Sequence, residues 1–420
     1  MGTMLEPDGG RAVRRGTNLP SVAEFNQAVV LDQIRRARSV SRVELAGRTG
    51  LSAQTVSNIC QRLLDEGLIE EAGRTSEQGK PGKPRTLLRL NPGSRFAVGV
   101  HIDPSVVTFS ILDLSGRVVA TERRATPAQI PAQEISSYIT HEIERIVDRA
   151  GIERARIAGI GIAAPGPIDV AHGAIVDPPF LSGWHRVPLR DTVAEATGLP
   201  VVLEKDVTAA AVAELWMSEQ VGASFAYLYL GTGLGVGLVV HDEVVRGGSG
   251  NAGEIGHIIV DPDGPPCSCG MRGCIAVTLG PADLVREAEE AGVLDAAGTG
   301  DDVGTIDDRV TALVDLAASG HPGAVAVLDR FAQRLARATA VVCNLLDVDR
   351  VVLGGPAWDR IGGQVFARVA ALLDELRAAR GVHRVEVEDS LLGGGSGAVG
   401  AACLVLDAVH TPRTSSLILQ

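Results

Sequence analysis

Apolar side chains recur at helical spacing between Glu24 and Ala37, where Phe25, Val29, Val30 and Ile34 share one face. Ser41 then precedes Glu44 by three residues. That capping-box spacing predicts a second helix opening at Ser41-Arg42-Val43-Glu44-Leu45-Ala46. Gly50 breaks it. Ser52 is placed to cap a third helix, with Val56, Ile59, Leu63 and Leu64 as its apolar face. A helix followed by two short helices around Arg48-Thr49-Gly50-Leu51 is a helix-turn-helix layout. Leu68–Glu71 and Thr86–Leu90 predict two strands around the tip Gly79-Lys80-Pro81-Gly82-Lys83-Pro84-Arg85, which makes a wing.

From Phe96 the pattern changes. Strands are predicted over Phe96–Ile102, Val106–Asp113 and Arg117–Arg123, a helix around Ala132–Ala150, and a buried strand over Ile157–Ala163. Near Phe225 the same grammar restarts with Phe225–Leu230, Gly235–Val240 and Glu243–Arg246. The strand Arg350–Leu353, a helix over about Gly363–Arg380, the strand His383–Val387 and a helix from about Gly397 complete it. Two α/β halves, each led by three strands, indicate an internal duplication with a crevice between the halves. The expected domains are a disordered tail over 1–21, a winged helix-turn-helix over 22–92 and a two-lobed body over 95–410.

Charge separates the same modules. Residues 1–95 hold 15 Lys+Arg against 10 Asp+Glu, whereas the remainder holds 24 against 41. A basic front on an acidic body implies different partners for the two. The first 20 residues lack an apolar segment of signal-peptide type, and no unbroken apolar run approaches 18 residues. A cytoplasmic location follows as the expectation, nucleoid-associated when DNA is bound, with no membrane partner. Three cysteines cluster within eight residues and three are isolated, which fits a reducing compartment and one metal site.

The third helix places Ser52, Gln54, Thr55, Ser57, Asn58 and Arg62 as candidate DNA contacts. Gln and Asn match adenine edges, and Arg meets guanine or phosphate. Lys80, Lys83 and Arg85 in the wing suit a minor groove. One such module reads a half-site, so a homo-oligomer, dimer or tetramer, on a double-stranded operator is expected.

The sharpest local signal is Glu254-Ile255-Gly256-His257 followed by Cys267-Ser268-Cys269-Gly270-Met271-Arg272-Gly273-Cys274. His257, Cys267, Cys269 and Cys274 supply one imidazole and three thiolates, a complete tetrahedral set without an open position. That points to a structural zinc. Gly231-Thr232-Gly233-Leu234-Gly235-Val236-Gly237 and Gly354-Gly355 are Gly-rich segments at strand ends that would let backbone approach a phosphate.

Leu230–Cys274, ending in Cys-x-Cys-Gly-x-x-Gly-Cys, resembles the ROK family of repressors and sugar kinases, and the winged helix resembles its repressor branch. The resemblance covers about 22–410. It implies a duplicated ribonuclease-H-like fold of the actin/hexokinase superfamily and a sugar site in the cleft, with ATP binding in the kinases. Carried over, Asp206 matches the catalytic base, and Glu254 and His257 match sugar contacts. The first phosphate loop, an Asp-x-Gly-Gly-Thr pattern in the kinases, reads His101-Ile102-Asp103-Pro104-Ser105. Two Asn positions around Asp206 are lost, Phe180 replaces another Asn, and Ala276 replaces a Glu.

The expectation is therefore a regulator of carbohydrate-related genes, a repressor and not an enzyme. Its body senses a sugar or sugar phosphate, ATP is not expected to bind, and Asp206 is a relic base or a helix cap. An active ATP-dependent sugar kinase carrying a DNA-binding module, or a regulator answering to a protein partner, are the alternatives.

Overall fold

The computed structural model describes residues 19–75, 85–126, 134–179, 181, 183–218, 222–296, 303–379 and 381–410. The chain divides into two compact units, one containing the residues up to Ser94 and the other running from Arg95 to Leu406. The tail 1–18 and the wing tip 76–84, with Lys80 and Lys83, lie outside the described residues.

The first unit contains α1 (Leu19–Ala37), β1 (Val40–Ser41), α2 (Arg42–Thr49), α3 (Ala53–Asp65), β2 (Ile69–Thr75) and β3 (Arg85–Leu90). The capping box forms as its spacing requires: Glu44 N–H donates to Ser41 Oγ, and Ser41 N–H donates to Glu44 Oε2 at 2.8 Å. Gly50 ends α2 at φ 71°, a left-handed cap that suits glycine. Ser52 caps α3 by accepting from Thr55 N–H at 3.1 Å. Val30, Ile34, Leu45, Val56, Ile59, Leu63 and Leu88 are buried together with β1 against β3. The third strand, β1, was hidden because it has only two residues and the second, Ser41, is the helix cap.

In the second unit the first lobe contains β4 (Phe96–Ile102), β5 (Val106–Asp113), β6 (Val118–Ala125), α4 (Ile135–Arg149), β7 (Ile157–Ala164), the small strands β8 (Ile168–Asp169), β9 (Ala174–Val176) and β10 (Arg186–Val187), then α5 (Leu189–Thr197), β11 (Val201–Lys205) and α6 (Asp206–Met217). The second lobe contains β12 (Phe225–Leu230), β13 (Leu234–Val240), β14 (Glu243–Val244), α7 (Pro281–Glu290), α8 (Val303–Ala318), α9 (Pro322–Leu346), β15 (Arg350–Gly354), α10 (Trp358–Leu376) and β16 (Glu386–Asp389). The helix α11 (Ser396–His410) follows.

The sheets run β6-β5-β4-β7-β11 and β14-β13-β12-β15-β16. In each, three antiparallel strands are extended by two parallel ones, in the same spatial order. The duplication read from the sequence is thus present strand for strand. α11 returns to the first lobe. A Cβ on Gly161 of β7 would stand 1.7 Å from Ala401 O, and one on Gly99 of β4 would stand 2.0 Å from Ala398 O, so only glycine admits this helix.

Candidate functional site

On α3 the buried side is Val56, Ile59, Cys60 and Leu63, which leaves Gln54, Asn58, Gln61 and Arg62 on an exposed stripe. Thr55 and Ser57 are half-buried, and Ser52 is committed to the cap. Gln54 Nε2 donates to Asn58 Oδ1 at 2.9 Å, so two candidate base-reading amides are held side by side. Arg62 Nη1 donates to Gln27 Oε1 of α1 at 3.0 Å, and Arg85 opens β3. Gln61, whose amide donates to Asp65, belongs to the same stripe and is an additional candidate.

In the second unit, loops at the C-terminal ends of the parallel strands converge on one cleft, as the geometry of α/β sheets favours. It is lined by Asp103 and Pro104 after β4, Pro165 and Gly166 after β7, Lys205 and Asp206 at the end of β11, Thr232 after β12, and Glu254. Asp103 Oδ1 accepts from Ser105 N–H at 2.9 Å and from its hydroxyl at 2.6 Å. Asp103 Oδ2 accepts from Thr232 Oγ1 at 3.3 Å. The hydroxyl that could meet a phosphate is therefore turned onto the opposing loop. Gly231, Gly233 and Gly235 line the cleft, whereas Gly237 does not, and Gly235 and Gly237 answer a second demand as well. They sit inside β13 because α6 lies against them: a Cβ on Gly237 would be 2.2 Å from Val207 O.

Asp206 is the first residue of α6, and Lys205 holds the cap position. The Asp206 carboxylate does accept a backbone N–H, from Val207 at 2.7 Å, in place of the N-cap bond expected of it. Burial pushes its pKa up to about 7 against that hydrogen bond and the Lys205 charge, while Asp103 and Glu254 push it further up. Lys205 does not pair with Asp206. Its Nζ donates to Glu254 Oε1 at 2.5 Å and to Ala252 O at 3.1 Å. Glu204, next to it, pairs with Arg246 Nε at 2.7 Å.

The His257, Cys267, Cys269 and Cys274 ligand atoms all lie within 4.8 Å of one another. Cys269 Sγ and Cys274 Sγ are 3.7 Å apart, and Cys267 Sγ is 3.5 Å from His257 Nδ1. Tetrahedral zinc–sulfur bonds of about 2.3 Å require edges of about 3.75 Å, so the donor set fits such an ion. The Cys269 backbone N–H lowers the Cys267 thiol to about 6, whereas burial pushes Cys274 up to about 12. This cluster can bind a metal. His257 Nδ1 is the ring atom turned to it, and Glu254 stands three residues before it on the same loop.

The ROK family model matches residues 97–408, and a MarR family model matches residues 24–79. The chain belongs to the ROK family. A putative xylose repressor of Caldicellulosiruptor sp. is 26% identical over 92% of this chain and 96% of its own length. The DNA-binding transcriptional repressor Mlc of Escherichia coli is 23% identical over 96% and 98%. A ROK family transcriptional regulator described as a homolog of the E. coli MLC protein superposes with a TM-score of 0.75 over 93% of this chain and 97% of that one, at 24% identity, a likeness of fold. A Streptomyces griseus ROK glucokinase in complex with glucose and AMPPNP gives 0.60 over 74% and 98%, at 29% identity.

One aromatic residue inside this ROK body escaped the sequence reading. Tyr229 of β12 lines the cleft beside Gly231, and His101 of β4 meets it edge-on, with ring centroids 6.1 Å apart. His101 is buried and held neutral by burial, against the pull of Asp103. Among the described residues neither Tyr229 OH nor His101 Nε2 has a hydrogen-bond partner. The signal was present in the crowding of two of the chain's three tyrosines into Phe225-Ala226-Tyr227-Leu228-Tyr229.

Proposed function

We propose that this ROK-family chain is a sugar-responsive transcriptional repressor. It binds duplex DNA through Ser52, Gln54, Thr55, Ser57, Asn58 and Arg62 around α3 and through Lys80, Lys83 and Arg85 of the wing. It senses a small sugar-class ligand in the cleft at Asp206, Glu254 and His257. The observation that carries this reading is the exposed amide stripe of a capped helix-turn-helix, joined in one chain to a body whose phosphate loops bond to each other. The repressors of this family to which the chain is similar support it. One winged helix reads a half-site, so a two-fold operator and a homodimer or larger assembly belong to the proposal, as does a cytoplasmic location. Among the described residues no single helix is long and apolar enough to cross a membrane.

His257, Cys267, Cys269 and Cys274 would hold a structural zinc that fixes the loop bearing Glu254. A sugar-kinase reading draws on Asp206, whose raised pKa suits a base working near neutrality. Pro104 removes a backbone donor, and Asp103 sets negative charge where nucleotide phosphates would lie. We therefore assign Asp206 no catalytic role. Selection of duplexes from a random pool, followed by mobility shifts with a sugar panel, tests the reading. A selected palindrome released by a sugar is the expected result; failure to enrich any duplex would refute it.

A further inference from the structure

The loop 246–254 follows β14 in the second lobe, yet its side chains fasten it to the first lobe. Arg246 Nε donates to Glu204 Oε2 at 2.7 Å. The Asn251 side chain accepts from Ile168 N–H at 2.7 Å and donates to Ile168 O at 2.8 Å. Lys205, at the end of β11, reaches the same loop from the first lobe. Its side chain is only 3% exposed, and its Nζ donates to Glu254 Oε1 at 2.5 Å, to Ala252 O at 3.1 Å and to Asn251 O at 3.4 Å. The turn after β7 packs directly on this pair: a Cβ on Gly166 would stand 3.0 Å from Lys205 Cε and 3.1 Å from Glu254 Oε1.

A lysine buried to this degree is costly unless its charge is matched and its donors are used. Here one carboxylate and two carbonyls converge on the ammonium, so both conditions are met inside the protein. Gly166, Lys205 and Glu254 all line the cleft. An ammonium brings three N–H donors on one compact group, and the edge of a sugar brings several O–H donors. The two therefore compete for one set of acceptors, and in this structure the lysine holds it.

We propose that Lys205 is a tethered occupant of the cleft: it closes the loop 246–254 onto the first lobe without a ligand, and a sugar binds by displacing its ammonium from Glu254. This rests on the sugar-sensing reading above and names the regulation of that site.

Hydrogen exchange of the full-length protein tests the occupant. Lys205→Ala removes three carbons and the ammonium, which n-propylammonium chloride in excess supplies again. The variant should lose about tenfold or more of the protection of the amides in 246–257. Propylammonium should restore it, whereas sodium and tetramethylammonium chloride at the same ionic strength should not. Asn251→Ala cuts the bonds to Ile168 and leaves Lys205 in place, so its loosened loop should not respond to propylammonium. Unchanged protection in Lys205→Ala would overturn the proposal, as would a loss that propylammonium leaves unrepaired. Should Lys205→Ala fail to fold, Lys205→Met, which keeps the stem and loses the charge, carries the exchange comparison. Calorimetric titration with glucose, mannose and N-acetylglucosamine tests the displacement. A sugar that binds the parent should bind Lys205→Met about tenfold tighter, because no ammonium has to leave first. Equal or weaker binding by Lys205→Met would overturn the displacement. If neither protein binds a sugar while propylammonium still restores the loop, the sugar-sensing reading falls and the tethered occupant stands.

Discussion

Replacing Asp206 by Asn should stabilise the body, and the gain should depend on pH. The carboxyl titrates at about 7 in the folded chain against an ordinary 3.8. Between those values the folded state binds a proton that the unfolded state has released, so stability falls as pH rises through the window. Below about pH 4 both states are protonated and the substitution changes little. Above about pH 7 the folded parent carries an uncompensated carboxylate. Three pKa units at 1.36 kcal/mol set a ceiling of about 4 kcal/mol. Asp206 is only partly screened from water and keeps its bond from Val207 N–H, so about 1–2 kcal/mol is the working expectation. Asn retains an acceptor for that N–H. The three tryptophans, Trp184, Trp216 and Trp358, are all buried in the body, so their fluorescence in urea follows that unit alone. The difference between variant and parent should open from pH 4.5 to pH 8. A difference that does not change with pH, or an Asn variant less stable than the parent at pH 8, would show that the ionised carboxylate is a structural cap, and the reasoning would fail.

Asn58→Ala should cost about 1–3 kcal/mol on the selected operator and relax base preference at one position, read by mobility shift against single-base variants. Arg85→Ala should instead weaken all duplexes alike and lower the salt slope by about one, measured by titration over a salt series. Elemental analysis should find one zinc per chain; Cys274→Ser should lose it, and loss of the ion should expose the loop from Glu254 to Cys274 in hydrogen exchange. A coupled assay with ATP, magnesium and common hexoses should detect no turnover approaching ~1 s⁻¹. Ser41→Ala should destabilise the winged helix by about 1 kcal/mol in thermal unfolding, through loss of the capping box.

The strands of the body were legible because their apolar runs are short and bounded by turns. Phe96–Ile102, Val106–Asp113 and Phe225–Leu230 fall where the pattern puts them. The start of α10 at Trp358 was not legible, since Gly362 and Gly363 mimic a helix boundary; Gly362 is there because Trp358 fills the space a Cβ would need. The metal cluster was readable because its ligands are local in sequence. The cleft was only half readable. Lys205 and Glu254 are 49 residues apart, and Asp103 and Thr232 are 129 apart, so no local pattern announces either bond. The glycines of β13 carried an ambiguous signal, since a close-packed helix and a bound phosphate both demand the absence of Cβ.

The seating of α11 against Gly99 and Gly161 has a bearing on synthesis. Strands β4 and β7 emerge from the ribosome more than 200 residues before the helix that covers them. The first lobe must wait, with an apolar sheet face open, until almost the whole chain is made, whereas the helix-turn-helix contains its own core and can close early. A ribosome that stops before Ser396 would therefore release a chain with a closed helix-turn-helix but without the helix that covers its first lobe. Such a product would leave the apolar face of β4 and β7 open, so chain-terminating lesions late in the coding sequence should yield an aggregation-prone body.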